Sequence, residues 1–342
     1  MRKFEGFTKG INLGGWFSQN ELTVEHLNQF IKREDIEYIH SLGMDHVRIP
    51  IDFELIEDEE GNALEQGYAY IDQSIAWCFE YQLNVVLDLH KTAGYVFDDP
   101  SYSQDFFENE PMQERFINLW KGLARRYGQH PNQIAFELLN EVVSADVTDA
   151  WNQLAKRTIQ AIREIAPEVY IILGGTRSNS VVTIKDLGSP YDQRIVYNFH
   201  CYEPLMFTHQ GAYWVANMPK DYTIDYPLPI KQYIAETYRL IDHNFAFPIE
   251  HLSEITDGKE FFELFFSEAL EIARLYDVPL YCGEYGVIDG VDPEAMLRWF
   301  QDIHSVFEKY GIGRAVWNYK EKDFGIASKK DMPIMKELIK YL

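Results

Sequence analysis

"GINLGGW", residues Gly10 to Trp16, is a short apolar run that ends in two glycines and a tryptophan. In an open, doubly wound α/β sheet the turn after the first strand carries a Gly-x-Gly-x-x-Gly fingerprint that seats a dinucleotide pyrophosphate. No such spacing is present here. If further strands alternate with helices beyond this point, the architecture that remains is a closed barrel.

They do alternate. "HVRIP" (His46 to Pro50), "NVVLDLH" (Asn84 to His90), "IAFELLN" (Ile134 to Asn140), "VYIILGG" (Val169 to Gly175), "IVYNFHCY" (Ile195 to Tyr202), "PLYCGEYG" (Pro279 to Gly286) and "GRAVWNY" (Gly313 to Tyr319) each look like a buried parallel strand. Between them lie amphipathic helical patterns, such as "MQERFINLWKGLARRYG" from Met112 and "DPEAMLRWFQDIHSVFEKYG", where Asp292 is placed to cap a helix that starts at Pro293. Eight strands with interleaved helices predict a (β/α)8 TIM barrel occupying residues 1–342 as a single domain.

The spacing is regular except once. About 75 residues separate Tyr202 from Pro279, roughly twice what a helix with two turns needs. Residues 203–255 therefore read as an inserted subdomain between strand six and helix six. This aromatic-rich insertion carries Phe207, Tyr213, Trp214, Tyr222, Tyr226 and Tyr233, followed by a helix near Lys259 to Tyr276. Loops after barrel strands sit at the catalytic mouth, so the insertion is expected to wall a cleft, with some of its rings forming a small core of their own.

Lys and Arg number 31 against 54 Asp and Glu, a formal charge of −23 spread along the chain. That balance argues against nucleic acid and anionic membranes as partners. No apolar stretch has signal-peptide or membrane-spanning length, so a cytoplasmic monomer is the default, and export would need a removed leader or another route. Cys78, Cys201 and Cys282 lack metal-ligand spacing and are expected as free, buried thiols.

Polar residues at the C-terminal ends of barrel strands point at the active site. Here strand two gives Arg48, strand three His90, strand four Asn140 and Glu141, strand six His200 and Tyr202, strand seven Glu284 and strand eight Trp317. On strand six, alternation puts His200 and Tyr202 on one face and Cys201 on the other. The same alternation places Cys282 one layer below Glu284.

Two carboxyls from separate strands, rimmed by aromatic rings, suit hydrolysis of a glycosidic bond. At about 5 Å and an effective dielectric near 20, two negative charges repel by roughly 3 kcal/mol, about two pKa units, so one carboxyl holds its proton near neutral pH. The nucleophile is the one beside a cation, and Arg48 is the cation in the set. No metal or other cofactor is called for.

"LNE" closing strand four, "GEYG" closing strand seven, "RIP", "DLH" and "NFHCY", with "GINLGGW" and "AVWNY", together resemble family 5 of the glycoside hydrolases, the cellulase-type (β/α)8 enzymes. The likeness runs from Lys9 to Tyr319. It implies a retaining mechanism with Glu141 as acid/base and Glu284 as nucleophile. It further implies that Asn140 binds the sugar 2-hydroxyl, that Arg48 and Tyr202 orient Glu284, that His200 lies near Glu141, and that His90 and Trp317 line the sugar site. Lys91 departs from the family pattern and reads as a solvated side chain.

"GINLGGW" resembles both bacterial β-1,4-glucanases and yeast-type exo-β-1,3-glucanases; the long insertion is nearer the bacterial pattern. The expected substrate is a β-linked glucan or gluco-oligosaccharide with β-1,4 or mixed linkage. Exo-β-1,3-glucanase activity is the main alternative, and β-mannanase activity ranks below it. Outside this class stand a metal-dependent barrel hydrolase using His90, His200 and a carboxylate, disfavoured because strand one offers no paired histidines, and a non-catalytic glycan-binding barrel, disfavoured because both carboxyls are present.

Overall fold

Runs of apolar residues without polar alternation make strands that must be covered on both faces. The computed structural model, which describes residues 1–99, 105–329 and 332–342, places eight of them in a ring. They are β1 (Lys9–Asn12), β2 (His46–Asp52), β3 (Asn84–Lys91), β4 (Ile134–Glu137), β5 (Tyr170–Gly174), β6 (Ile195–Cys201), β7 (Leu280–Tyr285) and β8 (Gly313–Val316). Every neighbouring pair is parallel, and β8 closes onto β1. The fold is the expected (β/α)8 barrel.

Two of the long helices start where a side chain satisfies a free backbone group. Glu110–Tyr127 begins on Asn109, whose Oδ1 accepts from Met112 N at 3.2 Å, with Pro111 in its first turn. Pro293–Tyr310 begins on Asp292, whose Oδ1 accepts from Ala295 N at 2.9 Å, and ends at Gly311 in the left-handed conformation, φ +67°. The helix expected near Lys259 to Tyr276 is two, Gly258–Phe265 and Ser267–Leu275, meeting at Phe266, whose buried ring packs on Phe199 and Phe307. No helix among the described residues is long and apolar enough to cross a membrane.

The barrel interior changes character along its axis, and alternation on the strands explains where. Val86, Ala135, Ile172, Val196, Tyr281 and Ala315 form one apolar cluster with Phe4 and Phe7, whose rings stack at 4.3 Å. Two residues further along the same faces stand Asp88, Glu137 and Asn198, all fully buried, and two further still stand His90 and His200. An apolar floor thus gives way to a polar layer and then to an open mouth.

One strand breaks the alternation. In the β6–β7 ladder Phe199 pairs with Cys282 but His200 pairs with Glu284, so Gly283 is extra. This bulge reverses the parity after Cys282: Cys282 lies in the outer core among the helices, as alternation from Tyr281 requires, and Glu284 returns to the interior. The expectation that Cys282 lies beneath Glu284 is corrected accordingly. Cys201 also packs in the outer core, and all three cysteines are free and buried.

Candidate active site

Arg48 is the third residue of β2 rather than its last, and its long side chain rises through the polar layer to the mouth. All five of its N–H groups are engaged. Nε meets Glu137 Oε2 at 2.7 Å; Nη1 meets Asn12 Oδ1 at 2.9 Å and Glu284 Oε1 at 2.7 Å; Nη2 meets Glu137 Oε1 and Asn140 Oδ1, both at 2.9 Å, and Asp88 Oδ2 at 3.0 Å. A planar, permanently charged fork suits this many acceptors where an ammonium would not. Its carboxylate neighbours hold the guanidinium well above its ordinary pKa, outweighing burial.

Glu284 receives a donor on each oxygen, Arg48 on Oε1 and the Tyr202 hydroxyl on Oε2 at 3.0 Å. Its charge is met from both sides.

Glu141 is held differently. The β4 ladder stops at Glu137, and the chain continues extended, with Leu138 O accepting from Trp120 Nε1 at 3.0 Å and Asn140 N donating to Leu89 O at 3.0 Å. Strict alternation from Glu137 would place Asn140 on the outer face; leaving the ladder early lets both Asn140 and Glu141 reach the cleft. Glu141 itself has φ +38°, a left-handed backbone that costs a residue with a Cβ about 1–2 kcal/mol. Among the described residues no lysine or arginine pairs with its carboxyl, and burial pushes its pKa up to about 7, while His90 and Arg48 act in the opposite direction. Repulsion between the two carboxyls is the expected reason for a retained proton; the largest cause of the raised pKa of Glu141 is instead its burial.

His200 joins the pair. Its Nδ1 lies 2.8 Å from Glu141 Oε1 and 3.7 Å from Glu284 Oε2. Burial lowers its pKa to about 4, so the ring is neutral. Asn179 Nδ2 approaches Nε2 at 3.4 Å, which leaves Nε2 as acceptor and Nδ1–H as donor to Glu141. Asn179 ends a run of three left-handed residues, Arg177, Ser178 and Asn179, with φ from +52° to +56°. Backbone strain of this kind collects at functional sites.

Across the mouth His90 and Trp317 lie parallel, centroids 6.0 Å apart. His90 Nδ1 bonds Asp88 Oδ2 at 2.7 Å, while its buried Nε2 has no hydrogen-bond partner among the described residues. Trp317 rests where a side chain on Gly14 would be: a Cβ added there would overlap the indole ring, which is why "GINLGGW" carries a glycine at that point. Asn140 Oδ1 accepts from Arg48 Nη2, which fixes the orientation of the amide at the mouth.

Two cavities share Glu141, Tyr202 and His209. One of about 520 Å³ is lined by His90, Asn140, Glu284, Trp317, Tyr213 and Trp214; the other, of about 570 Å³, by His200, Arg177, Glu203 and Phe245. From the segment after β6, Tyr213 and Trp214 stay 74% and 44% exposed beside the cleft, whereas Phe207, Tyr226 and Tyr233 are buried. Lys91 is corrected: it is not a solvated side chain, because its Nζ pairs with the buried Asp52 at 2.9 Å.

The eight residues singled out in the sequence thus meet at one mouth. Asp88, Glu137, Asn12 and Asn198 were not singled out, although a charge inside an otherwise apolar strand, as in "VLDL" and "AFEL", is itself a signal. A metal site built on His90 and His200 is not what the geometry offers. Among the described residues the histidine and carboxylate ligand atoms that converge, within 4.8 Å, belong to Glu141, His200 and Glu284, and the Nδ1 of His200 is already a donor to Glu141.

Residues 8–323 match the family model described as Cellulase (glycosyl hydrolase family 5). Cellodextrinase A of Ruminococcus flavefaciens is 44% identical over 314 residues, 92% of this chain and 86% of its own. Endoglucanase C of Acetivibrio thermocellus is 42% identical over 341 residues, 98% of each. Among solved structures, Cel5A of Thermotoga maritima in complex with mannotriose aligns over the whole of both chains with TM-score 0.78 at 24% identity, a likeness of fold.

Proposed function

The chain belongs to the cellulase family, glycosyl hydrolase family 5, and from that premise we propose that it hydrolyses β-1,4-glucosidic bonds of cello-oligosaccharides and related β-glucans by double displacement. It is a glycosyl hydrolase. The β-1,4 linkage is favoured over β-1,3 because the relatives above 40% identity, matched along nearly their whole length, are named cellodextrinase and endoglucanase.

The mechanism rests on one distance. Ligand atoms of Glu141 and Glu284 lie within 4.8 Å, near the roughly 5–5.5 Å of retaining enzymes and short of the about 6.5–9.5 Å that leaves room for an attacking water. In the first step a Glu284 carboxylate oxygen bonds to the anomeric carbon as the glycosidic C–O bond breaks, and the departing oxygen takes the proton of Glu141. The glycosyl ester has no charge on Glu284, so Glu141, now a carboxylate, can take a proton from water. The hydroxide so generated displaces Glu284 and restores both groups. Asn140 donates to the 2-hydroxyl, and His90 and Trp317 hold the reacting sugar.

Supply of β-1,4- and β-1,3-linked gluco-oligosaccharides of defined length, with the anomer of the first product read by NMR, tests the reading. Cleavage of the β-1,4 series with β-anomer released first, unaffected by a chelator, is expected. An α-anomer first would exclude double displacement, and cleavage confined to the β-1,3 series would move the assignment to the rival glucanase.

A further inference from the structure

The hydroxyl of Tyr95 bonds the main chain on either side of one of the cleft's carboxyl-bearing residues. Its ring is 4% exposed, packed against Phe106 and Phe107, with centroids 5.9 and 5.5 Å away. Its main chain is fixed by a reciprocal pair with Thr92 just beyond β3, Thr92 N to Tyr95 O at 3.1 Å and Tyr95 N to Thr92 O at 2.9 Å. The hydroxyl is thereby delivered to the far side of Glu141. It donates to Glu141 O at 2.9 Å and accepts from Val143 N at 2.9 Å.

Those two bonds bracket the segment where the backbone is strained. Glu141, at φ +38°, lies outside any regular ladder, since β4 ended at Glu137. A left-handed residue with a Cβ persists only when its surroundings over-determine it. Ser178 N adds a further tie to Val142 O at 3.1 Å, but the tie on the Glu141 carbonyl is the Tyr95 hydroxyl.

We propose that Tyr95 is a positioning residue for the proton donor: by bridging the Glu141 carbonyl and the Val143 amide it holds the backbone turn that aims the Glu141 carboxyl at the departing oxygen. This rests on the reading of Glu141 as acid/base. Removing the hydroxyl frees the turn to relax, moving the carboxyl without altering Glu284, Arg48 or the sugar site.

A substrate's leaving group separates this role from a general structural one. Departure of a sugar alkoxide needs a well-placed acid; departure of 2,4-dinitrophenolate does not. Tyr95→Phe is to be compared with the unaltered enzyme by kcat/KM, which reports the first step, on cellotetraose and on 2,4-dinitrophenyl β-cellobioside, with Glu141→Gln as benchmark. The expected result is a loss of about tenfold or more on cellotetraose and less than twofold on the dinitrophenyl substrate. Tyr95→Leu, read the same way, serves if the phenylalanine variant does not fold. Equal losses on both substrates, or none on either, would overturn the proposal while leaving the function intact. A Glu141→Gln enzyme without the leaving-group split would instead overturn the assignment of Glu141.

Discussion

Glu137 grips Arg48 at two points inside the barrel, Oε2 to Nε at 2.7 Å and Oε1 to Nη2 at 2.9 Å, and Asn198 Nδ2 donates to the same carboxyl at 2.8 Å. Neither residue of the pair is exposed to solvent. Truncating one partner of such a pair strands the other charge. Glu137→Ala should therefore cost about 3–5 kcal/mol of stability, measured by urea unfolding, although Glu137 does not line the cleft.

The acid and the nucleophile can be separated from the fold. Glu141→Gln and Glu284→Gln keep size and hydrogen-bonding capacity, so circular dichroism and unfolding midpoints should stay near those of the parent. Turnover of cello-oligosaccharides should fall at least about 10²-fold in each. Added azide should restore dinitrophenyl-substrate turnover in Glu141→Gln with a β-glycosyl azide as product, because azide attacks the glycosyl ester and displaces Glu284 without needing a base.

Activity should fall on the alkaline side as Glu141, with its pKa raised by burial to about 7, loses the proton the first step needs. A pH profile of kcat/KM should show that limb near 7, absent for a substrate whose leaving group needs no acid. Stability should move the same way. Burial also raises Asp88 and Glu203 to about 7, so between the ordinary carboxylate range and that value the folded chain keeps protons the unfolded chain has lost. Their contribution is present at acid pH and disappears as pH rises through about 7, so urea midpoints should be lower at pH 8 than at pH 5.

Gly14→Ala puts a methyl group into the Trp317 ring. The indole must shift away from its parallel partner His90, or β1 must move. Overpacking of this sort costs about 1–3 kcal/mol, and KM for cello-oligosaccharides should rise more than kcat falls. Thermal unfolding and steady-state kinetics check both.

Barrel and mouth were legible in the sequence because both rest on simple periodicities. Buried parallel strands read as continuous apolar runs, and polar residues at their ends, such as Asn140, Glu141 and Glu284, interrupt those runs visibly. The layer beneath was harder to read. Glu137 and Asp88 stand inside runs that look like core, and only the reach of Arg48 from mid-strand explains how they are tolerated. The parity of Cys282 failed at a single extra residue, Gly283, where a glycine within a strand was the available warning. The break at Phe266 has no marker, since the sequence there stays helical in composition. Tyr95 acts through main-chain groups, which leave no trace in side-chain pattern.

The early end of β4 delivers its acid into a cleft already rich in negative charge. Asp98, Asp146, Asp242 and Asp323 join Glu141, Glu203 and Glu284 along the two cavities, with Arg177 and Lys322 as the opposing charges. A glycan bearing uronic acids would bring its own anions into that field and be turned away, while neutral chains enter without penalty. Burial keeps the proton on Glu141, while the carboxylates around it would act as a filter on which polysaccharides are admitted.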